Sequence, residues 1–257
     1  MRYEVLGPLR VTGENGGWSI VTPKPEALLG ILLLRADQLV MNEQLIDELW
    51  GDKPPSRANA GVQCYISTLR KLFRRHGVPV DPIVTRPSGY LLHLGNDELD
   101  LQIFLQRVRA ARAYLKERRL EEVCECLTKA LAMWRGPLLG DVHGGPVIQN
   151  SVAWLTEVRI ECAEMLVDAN LGLGRNREVL GQLYDLISEH PLRENLYRQL
   201  MLALYRSGCR AEALDVYRTA RARVRSELGL EPGHELRSLH QLILTADHRP
   251  SLVHAVA

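Results

Sequence analysis

The sequence predicts a mainly α-helical protein with a small β part, and three observations lead to this fold class. Short β-like runs punctuated by glycine and proline occur only in the first 95 or so of the 257 residues. From residue 97 onward, apolar residues instead recur every three or four positions, which is typical of amphipathic helices. The second half also repeats itself with a period of 34 residues, which is the period of tetratricopeptide helix pairs. We therefore predict one domain over residues 1–96, an all-α tetratricopeptide-like domain over 97–246, and a tail over 247–257.

Composition narrows the class of protein to which the chain can belong. Apolar residues make up 46% of the chain and charged residues 25%, which is typical of a protein with a packed core. The formal net charge is only +1, so any surface that attracts an anionic partner must be local. The longest apolar run, ALLGILLL (27–34), is much shorter than the ~20 residues that span a bilayer, and no signal peptide opens the chain. We therefore expect no membrane contact and a cytoplasmic location.

No residue pattern indicates a catalytic, cofactor or metal site. The five cysteines are scattered, and no His/Cys cluster has the spacing of zinc ligands. Neither a GxGxxG nor a GxxxxGK[ST] motif occurs, so nothing predicts a nucleotide-binding loop. We expect reduced, mostly buried thiols, no cofactor, no metal ion and no enzymatic activity.

Turn signals divide the beginning of the chain into three short strands. The dipeptide Gly7-Pro8 separates the apolar run 3–6 from the run 9–12. The sequence ENGG (14–17) then separates the second run from a third run over 18–21. These runs predict a small N-terminal sheet.

Three helices follow this sheet in the prediction. The first begins near Pro23, carries ALLGILLL and ends near Ala36, with proline at an early position where its missing N–H is harmless. Asn42 is expected to cap the second helix, over 43–50, and Ser56 is expected to cap the third.

A β-hairpin is predicted after the third helix. The third helix contains VQCYISTLRKLFRR (62–75), and the next segment, IVTRPSGYLLHL (83–94), indicates two short strands around Pro87-Ser88-Gly89. The order of strands, helix, helix, turn, helix and hairpin is that of a winged helix-turn-helix domain preceded by a small sheet. In that arrangement the third helix lies in the major groove of DNA and the hairpin is the wing beside it.

The outward face of the third helix is cationic and contains no acidic residue between positions 57 and 75. Small side chains near its N-terminal half allow a close approach to base edges, where Gln63, Ser67 and Thr68 can exchange hydrogen bonds. Basic residues near its C-terminal end would lie over phosphates and add salt-dependent affinity. The residues expected to contact DNA are Arg57, Asn59, Gln63, Cys64, Ser67, Thr68, Arg70, Lys71, Arg74, Arg75 and, on the wing, Arg86.

Other interpretations of these residues remain open from the sequence. Basic residues near the C-terminal end of an exposed helix also complement the helix dipole without binding any ligand. Tyr90 of the hairpin can either reach DNA or pack the hairpin on the core. Asp97, Glu98 and Asp100 form an acidic cluster, which we expect at a link between domains and at a helix N-terminus rather than at a catalytic site. The helix-turn-helix order together with the wing favours DNA binding.

The second half of the chain is predicted to contain only helices. The 34-residue repeat relates Gly174 and Glu178 to Gly208 and Glu212. It predicts a solenoid-like domain that offers a surface for contacts. The predicted helices cover 100–117, 119–134, 151–173, 175–190, 193–207, 209–228 and 234–246.

Over nearly its whole length the chain resembles the Streptomyces antibiotic regulatory proteins. These proteins combine an OmpR-type winged helix with a bacterial transcriptional activation domain. The segments that carry the resemblance are MRYEVLGPLRV (1–11), PKPEALLGILLLRA (23–36), LIDELWGDKPP (45–55), VQCYISTLRKLF (62–73), TRPSGYLL (85–92), LAMWRGPLLGDV (131–142) and the segment 196–244.

The resemblance implies a transcriptional activator of an antibiotic or other secondary-metabolite gene cluster. Such proteins bind direct repeats near a promoter and recruit RNA polymerase, so we expect a homodimer, at least on DNA, at the nucleoid. The family often has a basic residue where Thr68 stands, which implies an altered base preference at that step. Larger relatives continue into a nucleotide-binding domain, and because this chain ends at Ala257 we do not expect regulation by ATP within it. Since Met1 leads directly into the small sheet, we also expect no receiver domain before it.

Two rival functions differ from this activator. In one, the chain is a protein-interaction adaptor whose tetratricopeptide-like half binds partners while the winged helix is structural. In the other, the same DNA-binding domain belongs to a ligand-gated repressor. The acid-free basic helix argues against the adaptor, because a protein-docking face more often mixes charges of both signs.

Overall fold

The computed structural model describes most of the chain. The predicted turn 14–17 and strand 18–21 lie partly outside the described residues, and the tail 247–257 lies wholly outside them. The chain separates into two compact units, each built from non-contiguous segments. The first unit is Met1–Arg109 with Lys129–Ile160, and the second is Ala110–Thr128 with the chain from Glu161 onward. The described residues are 1–13, 16–20, 22–78 and 80–245.

The elements confirm a mainly α-helical fold with a small β part and a winged-helix region at its beginning. The elements of residues 2–99 are β1 (Arg2–Glu4), β2 (Arg10–Gly13), β3 (Gly16–Trp18), α1 (Pro23–Leu34), β4 (Val40–Met41), α2 (Asn42–Trp50), α3 (Ala58–Arg75), β5 (Ile83–Arg86), β6 (Gly89–Leu92) and β7 (Glu98–Leu99). The helices that follow are α4 (Asp100–Lys116), α5 (Leu120–Leu131), α6 (Pro146–Gly172), α7 (Leu180–Glu189), α8 (Glu194–Arg206), α9 (Arg210–Leu228) and α10 (His234–Thr245).

The small N-terminal sheet has four strands in the order β3-β2-β1-β7. The register aligns Tyr3 with Val11 and Leu99, and Val11 with Trp18. All four side chains are buried, so they form one row that faces the core. The sequence does not predict strand β7, because the strand signals end near residue 97; only its parallel pairing with β1 identifies it.

Helix α1 lies at the centre of the first unit. Its residues from Ala27 to Leu33 are all buried, so the helix is covered on every side rather than along one stripe. Gly30 leaves room for a neighbour, since a Cβ at this position would lie 3.0 Å from a methyl carbon of Leu139.

The predicted hairpin is present and forms a second sheet, with strand order β4-β6-β5. Arg86 faces Gly89 across a two-residue turn, and Thr85 faces Tyr90. Tyr90 also pairs with Val40 and is 6% exposed. The core-packing interpretation of Tyr90 is therefore correct, and its ring does not reach outward from the wing.

Replacing Gly89 with alanine is expected to destabilise the wing. An added Cβ would lie 2.0 Å from the Val40 carbonyl oxygen and 2.9 Å from Met41 Cα, so β4 would have to move. Overpacking of this kind costs about 1–3 kcal/mol, which chemical denaturation of the two proteins would measure. Alanine at Gly181, where no atom lies within 4 Å of the added Cβ, is the matched control. Equal losses in both variants would contradict the close approach of β4 to β6.

Both predicted helix caps are wrong. Asn42 is the first residue of α2, so the N-cap position is occupied by Met41 instead. The Met41 N–H donates a hydrogen bond to Gln44 Oε1 at 3.1 Å. At the start of α3, the residue that precedes the helix is Arg57 rather than Ser56, and no side chain caps the helix. Serine and asparagine are also common in turns, so a serine or asparagine near a helix start does not fix the first residue of the helix.

Asp100 is at the N-terminus of α4, as predicted, and its side chain is buried. Its carboxylate accepts hydrogen bonds from the N–H groups of Val5 and Leu6, at 2.9–3.0 Å. Burial raises the pKa of the Asp100 carboxyl above its usual value, while these hydrogen bonds and the nearby Arg135 act in the opposite direction. The segment after β1 is thus held by residues that lie more than 90 positions later in the chain.

Glu48 of α2 makes a second long-range contact within the first unit. It is 5% exposed, and its carboxylate accepts hydrogen bonds from the N–H groups of Val147 and Ile148 in the first turn of α6. A carboxylate at this position satisfies N–H groups that have no partner within the helix and complements the helix dipole. No local pattern predicts this contact, because Val147 and Ile148 lie 99 and 100 residues after Glu48 in the chain.

The second unit is entirely helical over its described residues, and α8 packs against α7, α9 and α10. Gly174 and Gly208, which the repeat relates, follow α6 and α8 with φ of 78° and 86°. Their positive φ explains why glycine recurs at both positions. Leu183 and Tyr217, which are also 34 residues apart, are both buried in the core of this unit.

No described helix is long and apolar enough to cross a membrane. Within 1–13, 16–20, 22–78 and 80–245, no group of His, Cys, Asp and Glu side chains could hold a metal ion. All five cysteines are free thiols; Cys124 and Cys162 are buried, and Cys64 is exposed.

Candidate nucleic-acid interface

Helix α3 has one buried face and one cationic face. Val62, Ile66, Leu69 and Phe73 recur at three- and four-residue spacing and are at most 2% exposed. The opposite face contains no carboxylate between residues 58 and 75. The helix has 18 residues and is therefore about 27 Å long, which is enough to lie across a major groove.

The two flanks of α3 are held by different elements. On one flank, the Tyr65 ring stacks on Trp50 of α2, with ring centroids 6.0 Å apart. On the other flank, the Arg70 guanidinium binds to Asp81 and to strand β5. The helix is thus fixed between α2 and the wing, and only its outward face remains free.

The C-terminal end of α3 is anchored to the N-terminal sheet through Trp18. The indole lies edge-on to the Phe73 ring at 5.6 Å between centroids and stacks on the His76 ring at 4.7 Å. These contacts fix the end of the helix where the basic residues are concentrated.

Nine of the eleven predicted site residues are exposed, and two are half-buried. Thr68 and Arg70 are the two half-buried residues. The exposed residues are Arg57, Asn59, Gln63, Cys64, Ser67, Lys71, Arg74, Arg75 and Arg86.

Of the predicted site residues, Cys64, Ser67 and Lys71 are exposed at the centre of the outward face. At 100° per residue, these three positions project within about 60° of one another, and Arg74 lies beside them. Arg57 is just before the helix, and Asn59 lies toward the wing flank.

Thr68, which is predicted to contact bases, has its hydroxyl group hydrogen-bonded within α3. Its Oγ1 donates to the Cys64 carbonyl oxygen at 3.0 Å, one turn earlier in the helix. A threonine in this state presents its methyl group and oxygen lone pairs but no hydroxyl donor. It can therefore accept a hydrogen bond from a base amino group or contact a thymine methyl.

The wing presents Arg86 beside this face. Arg86 is the last residue of β5, it is exposed, and it lies opposite Gly89 at the turn formed by Pro87 and Ser88. The Ser88 carbonyl oxygen accepts a hydrogen bond from the Asn42 N–H at 2.9 Å, so the turn is tied to the start of α2.

Sequence reasoning missed the residues that hold this interface together. Asp81, Thr85 and Trp50 all contact α3, and no local pattern predicts these contacts. Their partners lie between 11 and 15 residues away along the chain, outside the range of helical periodicity. An acidic residue just before a predicted wing strand was the one available signal for Asp81.

Two family models match the chain and together cover most of it. "Transcriptional regulatory protein, C terminal" matches residues 19–92, which include α1 to β6. "Bacterial transcriptional activator domain" matches residues 99–244, which include α4 to α9 and most of α10.

Curated relatives match over nearly the whole chain. The regulatory protein AfsR of Streptomyces griseus is 39% identical over 250 residues, covering 96% of this chain and 25% of AfsR. The regulatory protein DnrI of Streptomyces peucetius is 36% identical over 256 residues, covering 96% of this chain and 93% of DnrI. The chain therefore spans about a quarter of the length of AfsR but nearly all of DnrI.

A solved structure has the same fold. It is the structure of Mycobacterium tuberculosis EmbR in complex with a low-affinity phosphopeptide. The EmbR chain is 32% identical to this chain, and the two folds superpose with a TM-score of 0.88. The match covers 95% of this chain and 64% of the EmbR chain. The family models, the relatives and this structure agree, so the chain belongs to the Streptomyces antibiotic regulatory protein family, with an OmpR-type winged helix and a bacterial transcriptional activator domain.

Proposed function

We propose that this chain is a sequence-specific DNA-binding transcriptional activator whose helix α3 enters the major groove. The observation that supports this most strongly is the outward face of α3, which exposes Lys71, Arg74 and Arg75 and contains no carboxylate. Small polar groups precede these cations, as direct base readout requires. The exposed Arg86 on the adjacent wing extends the cationic surface beyond the helix.

The two parts of the chain have separate roles in this proposal. Residues 1–96 bind DNA, and residues 97–246 act on transcription. The match of residues 99–244 to a transcriptional activator domain supports the second role. Such a regulator acts in the cytoplasm, at the nucleoid.

Two protomers bind direct repeats on the same side of the duplex. Each α3 then enters a major groove, and the repeats are spaced by about one helical turn, ~10–10.5 bp. The helical part holds the protomers together on DNA and recruits RNA polymerase. Family membership supports a target promoter in an antibiotic or other secondary-metabolite gene cluster.

The spacing of the repeats provides the test of this arrangement. A site is first located by footprinting the DNA beside the gene, and binding is then titrated on variants of that site. Inserting roughly 5 bp between the repeats turns one half-site to the opposite side of the duplex and should abolish cooperative binding, whereas inserting roughly 10 bp should restore part of it. A single half-site is the control for binding by one protomer.

Binding that is insensitive to spacing would show that protomers bind independently, and the absence of any footprint would contradict DNA recognition itself. Activation is tested separately by measuring transcripts after deletion of the gene. A fall supports the activator, and a rise supports the repressor.

A further inference from the structure

Arg70 lies on the flank of α3 that faces the wing, and its side chain reaches three acceptors there. Its Nη2 donates to the Ile83 carbonyl oxygen at 2.8 Å and to Thr85 Oγ1 at 2.9 Å. Its Nε lies 2.5 Å from Asp81 Oδ2, and the two groups form an ion pair without hydrogen-bond geometry. Two of these acceptors belong to β5 and the third is just before it, so the guanidinium joins α3 directly to the strand that leads to the wing tip.

The carboxylate partner of Arg70 is itself held in place. Asp81 Oδ1 accepts a hydrogen bond from the Ile83 N–H at 3.0 Å, which fixes the turn that enters β5. The side chains of Arg70 and Asp81 are 30% and 39% exposed, so the pair is at the surface but not fully solvated. We call Arg70, Asp81, Ile83 and Thr85 the wing clamp.

The wing clamp changes what Arg70 can contribute to DNA binding. Nη2 donates both of its hydrogen bonds to β5 and Nε lies against the Asp81 carboxylate, so only Nη1 has no contact within the clamp. The adjacent Asp81 also cancels the charge of Arg70 at short range, so the attraction between Arg70 and a phosphate is largely offset. Lys71 and Arg74 are exposed on the same helix and have no carboxylate bound to them among the described residues.

We infer that Arg70 is a positioning residue, which fixes the wing and its Arg86 relative to α3 instead of binding a phosphate. This inference rests on the proposed function as a DNA-binding protein. The physical route is short, because Arg86 is the residue after Thr85 on the clamped strand. Freeing that strand allows Arg86 to occupy many positions, and the ordering cost then falls on DNA binding.

Replacing Asp81 with asparagine distinguishes a phosphate-binding Arg70 from a wing-positioning Arg70, because the two roles predict opposite changes in DNA affinity. The variant removes a negative charge from the DNA-binding side, which by charge alone strengthens binding. If Arg70 positions the wing, Asp81→Asn instead weakens DNA binding, by roughly twofold to fivefold for a lost ion pair at the surface. The asparagine oxygen can still accept from the Ile83 N–H, so the turn itself is kept. Asp52→Asn, in the exposed connection between α2 and α3, is the matched control and should leave binding unchanged or slightly stronger.

Replacing Arg70 with lysine gives a second, charge-preserving test. A lysine retains the positive charge but cannot match the fixed geometry of the guanidinium, so Arg70→Lys should also weaken binding roughly tenfold. Both effects should disappear in the Arg86→Ala background, because the clamp then has no arginine to position. General destabilisation would instead lower binding equally in both backgrounds.

Wild-type affinity in Arg70→Lys, stronger binding in Asp81→Asn, or equal losses with and without Arg86 would each overturn the inference. Amide hydrogen exchange of the free protein tests, without DNA, whether the wing clamp stabilises β5 and β6. Amides of β5 and β6 should exchange faster in both variants while α1 amides do not, and unchanged exchange would also overturn it. Failure of the wild-type chain to bind any duplex would instead reject the proposed function.

Discussion

Replacing Lys71 and Arg74 together with alanine should weaken binding to duplex DNA by roughly a hundredfold near physiological salt, because two phosphate contacts are lost. Both side chains are exposed on the outward face of α3. Each cation that neutralises a phosphate releases condensed counterions, so the logarithm of affinity should fall less steeply with salt in the variant, by about two in slope. The double substitution should leave the buried face of α3 intact.

Titrations of one duplex at several salt concentrations measure both the affinity and the slope. A matched control replaces Lys116 and Arg177, two exposed cations in the helical unit, and therefore makes the same change in net charge. If the control lowers the slope as much as the α3 variant does, general charge and not the α3 surface governs binding. If the variant with both Lys71→Ala and Arg74→Ala binds DNA as tightly as the wild type, the basic residues of α3 do not contact DNA. They would then be solvated side chains that complement the helix dipole.

Replacing Phe73 with alanine should produce the largest loss of stability among the substitutions considered. Phe73 is 1% exposed, and its ring meets Trp18 and Tyr3 edge-on, at 5.6 and 6.5 Å between centroids. Removing a buried phenylalanine ring leaves a cavity and costs about 3–5 kcal/mol of unfolding free energy. The ring also joins the end of α3 to the N-terminal sheet, so the cavity would open where the two elements meet.

Urea denaturation followed by circular dichroism measures this loss. Phe73→Leu keeps most of the buried volume and should cost less than about 1.5 kcal/mol. Similar losses for leucine and alanine would show that the ring shape does not matter here. A negligible loss for alanine would contradict a closed aromatic cluster between α3 and the sheet.

Local pattern was sufficient to predict the elements that carry the interface. The spacing of Val62, Ile66, Leu69 and Phe73 predicts α3 and its inward face, and Pro87 with its neighbours predicts the wing turn. These features depend on residues within a few positions of one another. Contact between DNA and the residues named from the sequence stays a prediction, because contact with a duplex is not a property of the free chain.

Features that depend on distant partners were missed. Strands β4 and β7 have two residues each and exist only through pairing with β6 and β1. Arg70 has the sequence position of a phosphate contact, and only the proximity of Asp81 shows another use. The role of Tyr90 could not be predicted, because a tyrosine can either contact a DNA groove or pack in a core. Its pairing with Val40, 50 residues earlier in the chain, places it in the core.

The contacts of Asp100, Leu139 and Glu48 bear on how the protein can be dissected. A fragment that ends at residue 96 would lack strand β7, the carboxylate bound to Val5 and Leu6, and the leucine that covers Gly30. It would expose part of the apolar surface of α1 to water and leave β1 as an unpaired edge, which are the conditions for aggregation. Isolation of a well-behaved DNA-binding half therefore requires the chain to continue through the first turns of α6, and short truncations that precipitate would say nothing about DNA recognition.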